Sequence, residues 1–451
     1  RPMGAMDECR NNLRHGARPS TAKEEWGRMD NYLVISADTH AGLPDAEYKN
    51  YLAKEYHEAF EDDLSARRVA GDAVRQSMGA DDNEFVQEWY EENEEGLRGG
   101  WDAGRRDKEL DADGVVGEVI FPDADAVRGG ASAPFGAGLG LSGDGDPALA
   151  MAGARAHNQW LAELCRDSPD RRRGLAIVPI LHDIDQAVAE IRRAHADGLG
   201  GIMIPVLWQP YAPYHDRRYD PVWAVCQELS MPVHNHTGPA ARADYGPHVG
   251  IYASETIWWT TRPLVFLLWS GVFERFPGLR FAVTEGGCWW LPDLLWKWDG
   301  IYMREHATKK MSHIAPELRM LPSEYVDRNV KIGSSNTRRR ELARRHEIGV
   351  GNIMWGNDFP HPEGTWPHTR EWLKETFWDC PVDDTRRILG LNAVEFYGFD
   401  AERLQALVDR IGPSPAQLGQ DESVDLSKWD DLAAAGRPWL SGHEAVPVSS
   451  D

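Results

Sequence analysis

The 451-residue chain predicts a (β/α)8 barrel. Three observations carry that reading. Eight short apolar runs read as strands, most are followed by helical periodicity, and four of them end in carboxylate and imidazole groups. The four endings are Asp38-Thr39-His40, His234-Asn235-His236, Glu285-Gly286-Gly287 and Asn357-Asp358-Phe359-Pro360-His361. Strand ends so far apart in sequence meet at one point only if the sheet closes. (β/α)8 barrels place their chemistry at that C-terminal edge.

The expected strands are 33–37, 115–121, 174–180, 201–205, 231–236, 279–285, 329–333 and 352–358. Helix candidates lie between them. Residues 185–197 put Ala187, Ile191 and Ala194 on one face after an Asp cap and before Gly198, a stop signal. Residues 221–229 are similar, as are 262–276, which end at Phe276-Pro277-Gly278. The β-then-α alternation implies a parallel sheet. Residues 41–110 form a long acidic insertion after strand one, expected as a cap over the barrel mouth. Residues 299–328, after strand six, are expected as a second lid. Residues 1–31 are an N-terminal extension, 32–400 the metal-dependent barrel, and 401–451 a C-terminal extension with a Pro/Gly/Ser-rich acidic tail. The opening Arg1-Pro2-Met3-Gly4-Ala5-Met6 is set apart from the fold.

Composition narrows the function. The formal charge of −23 argues against nucleic acid and anionic lipid as partners, because both call for a positive face. The acid run within 55–113 reads first as a solvated face. Cys9, Cys165, Cys226, Cys288 and Cys380 are odd in number and far apart, with no metal-finger spacing, so a cytoplasmic protein is expected. Residues 1–31 have no apolar core and no run of 18 apolar residues occurs, so no membrane partner is expected. A homo-oligomer is compatible with all of this. The 19 Trp cluster at 258–298 and 355–378, which suggests a bulky or aromatic pocket, although Trp often only packs helices onto a barrel.

The candidate site residues each have a bland reading. Asp38 and His40 could bond loop backbone, Glu285 could be a rim ion-pair member, and His361 could cap the turn between Pro360 and Pro362. Asp358 is the firmest, since a carboxylate ending an apolar strand is costly without a partner. His234 lies on the same face as His236 and is either the ligand in its place or a donor behind it. His182, His313, Glu255 and Glu363 are weaker candidates.

The order of Asp38-Thr39-His40, His236-Thr237-Gly238, the glycine turn after Glu285, and Asn357 to His361 resembles the amidohydrolase superfamily. Within it, the likeness is to the branch of metal-dependent decarboxylases of aromatic and unsaturated acids. SGVFERFPGLRF (270–281), WLPDLLWKWD (290–299), PSEYVDRNV (322–330) and ILGLNAVEFYGF (388–399) support it, and it spans about residues 32–400. The resemblance implies His40, His236 and Asp358 as metal ligands, with Asp38 where a first His often stands. Two departures follow. Glu285 occupies the strand-six position that commonly carries a catalytic His, and strand four (GIMIPV) has no Lys to form a carbamylated bridge.

Asp38, Glu285 and Asp358 bring three negative charges, which two bridged cations balance better than one. That pattern resembles a smaller branch of the superfamily, the non-haem dinuclear iron monooxygenases. The preferred expectation is therefore an enzyme with two Fe that hydroxylates a bulky small molecule, using O2 and an electron donor. Its metal ligands would be Asp38, His40, His236, Glu285 and Asp358. Glu285 or Asp358 would bridge, and His361 would be a further ligand or the proton donor. The alternative is a Zn- or Mn-dependent hydrolase or non-oxidative decarboxylase of a carboxylic acid, with Asp358 or Glu285 as general base. The full set of ligand-type residues argues against a third reading, a non-catalytic binding barrel.

Overall fold

The computed structural model describes residues 30–78, 84–124, 131–240, 245, 248–308 and 315–420. Eight strands lie in sequence order, all parallel: β1 (Ile35–His40), β2 (Gly117–Phe121), β3 (Arg172–Ile177), β4 (Gly201–Met203), β5 (Val233–His236), β6 (Phe281–Thr284), β7 (Val330–Ser335) and β8 (Ile353–Gly356). The sheet closes through backbone bonds between its ends. Asp358 N–H donates to the Asp38 carbonyl (2.9 Å) and His40 N–H to the Phe359 carbonyl (2.6 Å). The chain is a (β/α)8 barrel.

The longer helices are α1 (His57–Met78), α2 (Glu84–Glu92), α3 (Ala103–Asp113), α4 (Pro147–Asp167), α5 (Ile184–Ala196), α6 (Asp220–Glu228), α7 (Val249–Trp269), α8 (Leu291–Thr308), α9 (Pro322–Asn329), α10 (Thr369–Phe377) and α11 (Ala401–Ile411). Their starts follow from side-chain caps: Asp102, Asp146, Asp183 and Asp400 each accept backbone N–H groups of a first turn. The helix expected at 262–276 begins earlier, at Val249, and runs through Pro263 to Trp269, where a separate short turn follows Gly271 (φ 70°). Among the described residues no helix is long and apolar enough to cross a membrane.

Strand alternation separates two cores. Ile35, Val119, Phe121, Leu175, Ile177, Met203, Ala282 and Met354 fill the barrel, while Val34, Ile120, Ala176, Ile202, Val233, Phe281, Ile332 and Ile353 face the helices. Strand β1 departs from this period. Its register against β2 passes from Ser36↔Glu118 to Thr39↔Ile120, so one extra residue is inserted. This bulge lets Asp38 and His40 join Ile35 on the inner side and leaves Thr39 facing out. Thr39 Oγ1 donates to the Val119 carbonyl at 2.9 Å. β1 was expected to stop at residue 37; the bulge instead carries it through His40.

Residues between β1 and α3 pack on the loops that follow β2 and β8. A Cβ on Gly99 would meet the Phe359 ring, and Phe60 lies edge-on to Phe135 at 6.0 Å. Arg106 of α3, fully buried, fastens this layer to the barrel. Its guanidinium pairs with the buried Glu118 carboxylate (Nε–Oε1 2.8 Å, Nη2–Oε2 2.7 Å) and donates to the carbonyls of His40 and Gly99, both at 2.9 Å. A buried pair with its remaining donors satisfied is costly to break from one side.

Candidate functional site

Asp38, His40, His236, Glu285, Asp358 and His361 converge at the C-terminal mouth. His40 Nδ1–H donates to the Pro122 carbonyl (2.8 Å), which turns Nε2 inward, 3.2 Å from Asp358 Oδ1 and 3.5 Å from Asp38 Oδ1. His236 Nε2 stands 3.2 Å from the same Asp38 oxygen. His361 Nε2–H donates to the Asp123 carbonyl (2.9 Å), and its Nδ1 faces Asp358 Oδ1 at 3.1 Å. The His40 and His361 rings stack at 3.9 Å. Successive carbonyls of the turn after β2, those of Pro122 and Asp123, thus hold two stacked imidazoles. Asp123 is itself clamped, because its carboxylate accepts the N–H groups of Ala133 (2.9 Å) and Leu139 (2.7 Å). Ser335 Oγ donates to the other Asp38 oxygen. Gly356 permits the approach of β8, since a Cβ there would lie 2.8 Å from Asp38 Cβ.

These residues suit a divalent metal ion. Metal bonds of about 2.0–2.2 Å place neighbouring donor atoms roughly 3.0–3.5 Å apart, the spacing seen from His40 Nε2 to Asp358 Oδ1 and to Asp38 Oδ1 and from Asp38 Oδ1 to His236 Nε2. His40 Nε2 and Asp358 Oδ1 are buried without a well-formed hydrogen bond, and an ion between them would meet their lone pairs. Asp38, His40 and His236 form one group of donor atoms within 4.8 Å of one another; His40, Asp358 and His361 form a second that shares His40.

Glu285 stands on a different side. Its Oε2 is 3.1 Å from His236 Nδ1, the nitrogen directed away from Asp38. Glu285 and Asp358 both adopt left-handed backbone (φ 63° and 60°), a conformation non-glycine residues hold mainly where function or packing demands it. Burial opposes charge on every member, and the members then correct one another. Asp38 is drawn well below the usual carboxylate range by His236 and His40, and Asp358 is lowered by His361 and His40. Burial works against the histidinium forms, yet Asp358 holds His361 up at about 10, and the carboxylates raise His40 and His236 as well. Glu285 goes the other way. Burial, then the charges of Asp358 and Asp38, push it to about 8 against the opposing pull of His236.

The weaker candidates separate. His234 sits one layer deeper, with Nδ1 at 3.1 Å from the Ile202 carbonyl and Nε2 at 3.0 Å from Tyr397 Oη; buried and held neutral, it is a core histidine. His182 lines a separate cavity of about 520 Å3 with Tyr51, Tyr56 and Arg155. Glu255 accepts from Tyr245 Oη (3.2 Å). Exposed Glu363 has an oxygen within 4.8 Å of oxygens of Glu285 and Asp358. His313 lies outside the described residues. Among the described residues, Trp160, Trp208, Trp223, Trp290, Trp298, Trp355 and Trp366 are buried in the packing, while Trp258, Trp289 and Trp296 are exposed. The carbonyls of Pro122 and Asp123 and the hydroxyl of Ser335 were not foreseen, because backbone acceptors and a lone Ser carry no motif.

The family model described as amidohydrolase matches residues 123–399, more than half of the chain. Gamma-resorcylate decarboxylase of Rhodococcus jostii (strain RHA1) is 29% identical over 239 residues, 49% of this chain and 69% of that protein. Among solved structures, 2,6-dihydroxybenzoate decarboxylase from Rhizobium is 25% identical with a TM-score of 0.52, covering 65% of this chain and 87% of that one. The dihydroxybenzoic acid decarboxylase of Polaromonas sp. JS666, with bound manganese and 2-nitroresorcinol, shares the fold at 20% identity and a TM-score of 0.54, covering 81% and 96%.

These relatives overturn the expected oxygenase, and with it the two Fe, the O2 and the electron donor: they are decarboxylases, the alternative reading. The physical reason lies in the charge count: Glu285 is not a third anion, because its burial beside Asp38 and Asp358 keeps its proton near neutral pH. Two charged carboxylates, Asp38 and Asp358, remain.

Proposed function

Because the chain belongs to the amidohydrolase family, we propose that it is a single-metal, non-oxidative decarboxylase of a hydroxylated benzoic acid. The two donor groups that share His40, with the carboxylates of Asp38 and Asp358 among them, carry this reading. Asp38, His40, His236 and Asp358 would hold the ion, with manganese or zinc the best fit to a mixed imidazole and carboxylate set. When bound, such an ion supplies a positive anchor for the substrate carboxylate and a neighbouring hydroxyl oxygen.

The remaining work falls to the protein. His361 braces Asp358 through Nδ1 while the Asp123 carbonyl fixes its ring. Glu285, one-fifth exposed at the mouth, is the acid. Its carboxyl proton passes to the ring carbon that bears the carboxylate, the C–C bond breaks, and its electron pair restores the aromatic ring as CO2 departs. His236 Nδ1, 3.1 Å away, stabilises the carboxylate left behind until solvent returns the proton. Glu285 thus takes the place of the His that the family commonly carries on this strand.

The test is anaerobic turnover by manganese- or zinc-loaded protein on a panel of hydroxybenzoates, read as CO2 released. In D2O, deuterium is expected at the vacated ring carbon. Strict dependence on O2, or no CO2 from any hydroxybenzoate, would refute the proposal.

A further inference from the structure

Residues 51–56 of the insertion lie against α4 and the loop after β3 without closing the space between them. Tyr51 Oη donates to Glu163 (2.7 Å) and Tyr48 Oη to His157 Nδ1 (2.8 Å), which pins the insertion to α4. Beside these pins the cavity of about 520 Å3 remains, and none of its lining residues belongs to the barrel-mouth site. Protein interiors pack closely, and a space of this size falls in the range of small-molecule sites. Leu52, Tyr56, Met151 and Pro179 give it apolar and aromatic walls.

Among the described lining residues Arg155 is the one cation. Its Nε donates to the fully buried Glu190 carboxylate at 3.1 Å. Glu190 is shared, since it also accepts from Arg193 and Asn158, and Arg193 has a second partner in Asp197 (2.7 Å). Arg155 has no other carboxylate among the described residues. The Nε bond therefore orients the guanidinium and leaves both terminal amino groups free, the pair that grips a carboxylate in a fork. Tyr56 Oη likewise has no partner among the described residues. His182 adds no charge, because burial lowers it below the ordinary imidazole value, and its ring stands edge-on to Tyr211 at 4.6 Å. Asp183 is engaged with the Gln186 backbone N–H and Nε2, both at 3.0 Å, and Glu55 is exposed.

We propose that this cavity is a second binding site, separate from the metal centre, for a small aromatic monocarboxylate. Its carboxylate takes the free amino groups of Arg155, its ring takes the apolar walls, and Tyr56 Oη supplies a further donor. Glu55 and Asp183 at the rim repel a second negative charge, which favours a monocarboxylate over phosphate. Such a ligand touches residues 51–56 and α4 together, so it ties the insertion to the barrel.

The test is titration of the metal-loaded full chain with para-fluorobenzoate, read by calorimetry and fluorine NMR. The parent should bind one equivalent more than Ala152→Phe, whose new ring fills the cavity from α4. Arg155→Met should weaken that equivalent roughly 10- to 100-fold, and Arg155→Lys, which keeps the charge but loses the fork, should weaken it less. Arg193 and Asn158 still satisfy Glu190 in both, so the fold is kept. Amide exchange of residues 51–56 should slow with ligand in the parent and not in Ala152→Phe. All these variants leave the mouth intact, so the difference of one equivalent stands whether or not the protein decarboxylates hydroxybenzoates. An equal count in parent and Ala152→Phe would overturn the proposal. So would unchanged affinity in Arg155→Met, or binding of inorganic phosphate or neutral para-fluorobenzamide as tight as that of para-fluorobenzoate.

Discussion

Glu285→Gln tests the chemistry most directly. The amide keeps the size of the side chain and the neutral charge that burial imposes, but it has no acidic proton. Glu285 stands at about 8 against an ordinary 4.5, a preference for the neutral form on the order of 5 kcal/mol. At pH 7 roughly nine in ten molecules therefore hold the proton, and a bound cation would draw that value down. The variant should bind one equivalent of metal about as tightly as the parent, because Glu285 lies against His236 Nδ1 and belongs to neither donor group that contains His40. Turnover should fall roughly 10^2- to 10^4-fold. In the parent, the rate should decline as pH rises through the Glu285 value, at or below about 8, since the deprotonated form cannot donate. The residual rate of the variant should lack that limb. Metal analysis and pH–rate profiles on both proteins read these outcomes. Loss of metal from Glu285→Gln would make Glu285 a ligand, and full turnover would remove it as the acid; either result refutes the reasoning.

Three further outcomes follow from the structure. Asp123→Ala should raise the metal dissociation constant about 10- to 100-fold in calorimetric titration, because the Asp123 clamp on Ala133 and Leu139 sets the carbonyl that holds His361. Glu118→Gln strands part of the charge of the buried Arg106 and should cost about 3–5 kcal/mol in denaturant unfolding, whereas replacing both residues by apolar ones should recover much of that loss. Asp113 is raised from 3.8 to about 7, chiefly by burial, with Thr369 hydrogen bonds opposing. The folded chain therefore keeps a proton there that the unfolded chain releases, and this group's contribution to stability falls as pH rises from about 4 to 7 and then levels off. Asp113→Asn should accordingly stabilise the protein at pH 8 by about 2 kcal/mol, with little effect at pH 4; equal effects at both pH values would refute the assignment.

Much of the barrel was legible in the chain because apolar runs alternating with helical periodicity report burial locally. Each of the eight expected runs overlaps a strand, with ends displaced by a few residues where backbone pairing, not side-chain type, sets the limit. The bulge in β1 was not legible: nothing local to Ser36–Thr39 announces that pairing with β2 inserts a residue, and without it Asp38 and His40 would not both face inward. His234 and His236 were indistinguishable by period, since both point into the barrel. Only depth separates them, one bonded to Ile202 and Tyr397 and the other beside Asp38.

By itself, then, the sequence determined the barrel class, the strand-end position of six polar residues and the family they resemble, because these depend on pattern and order along the chain. The tertiary structure decided what those residues can do. The charge state of Glu285, the stacking of His361 on His40, and the pair of carbonyls at Pro122 and Asp123 all depend on which groups lie within a few ångströms in space. Formal charges counted along a chain pointed to two metals, while burial among neighbouring carboxylates removes one of those charges, because a low-dielectric pocket tolerates only as many anions as it has cations to balance them.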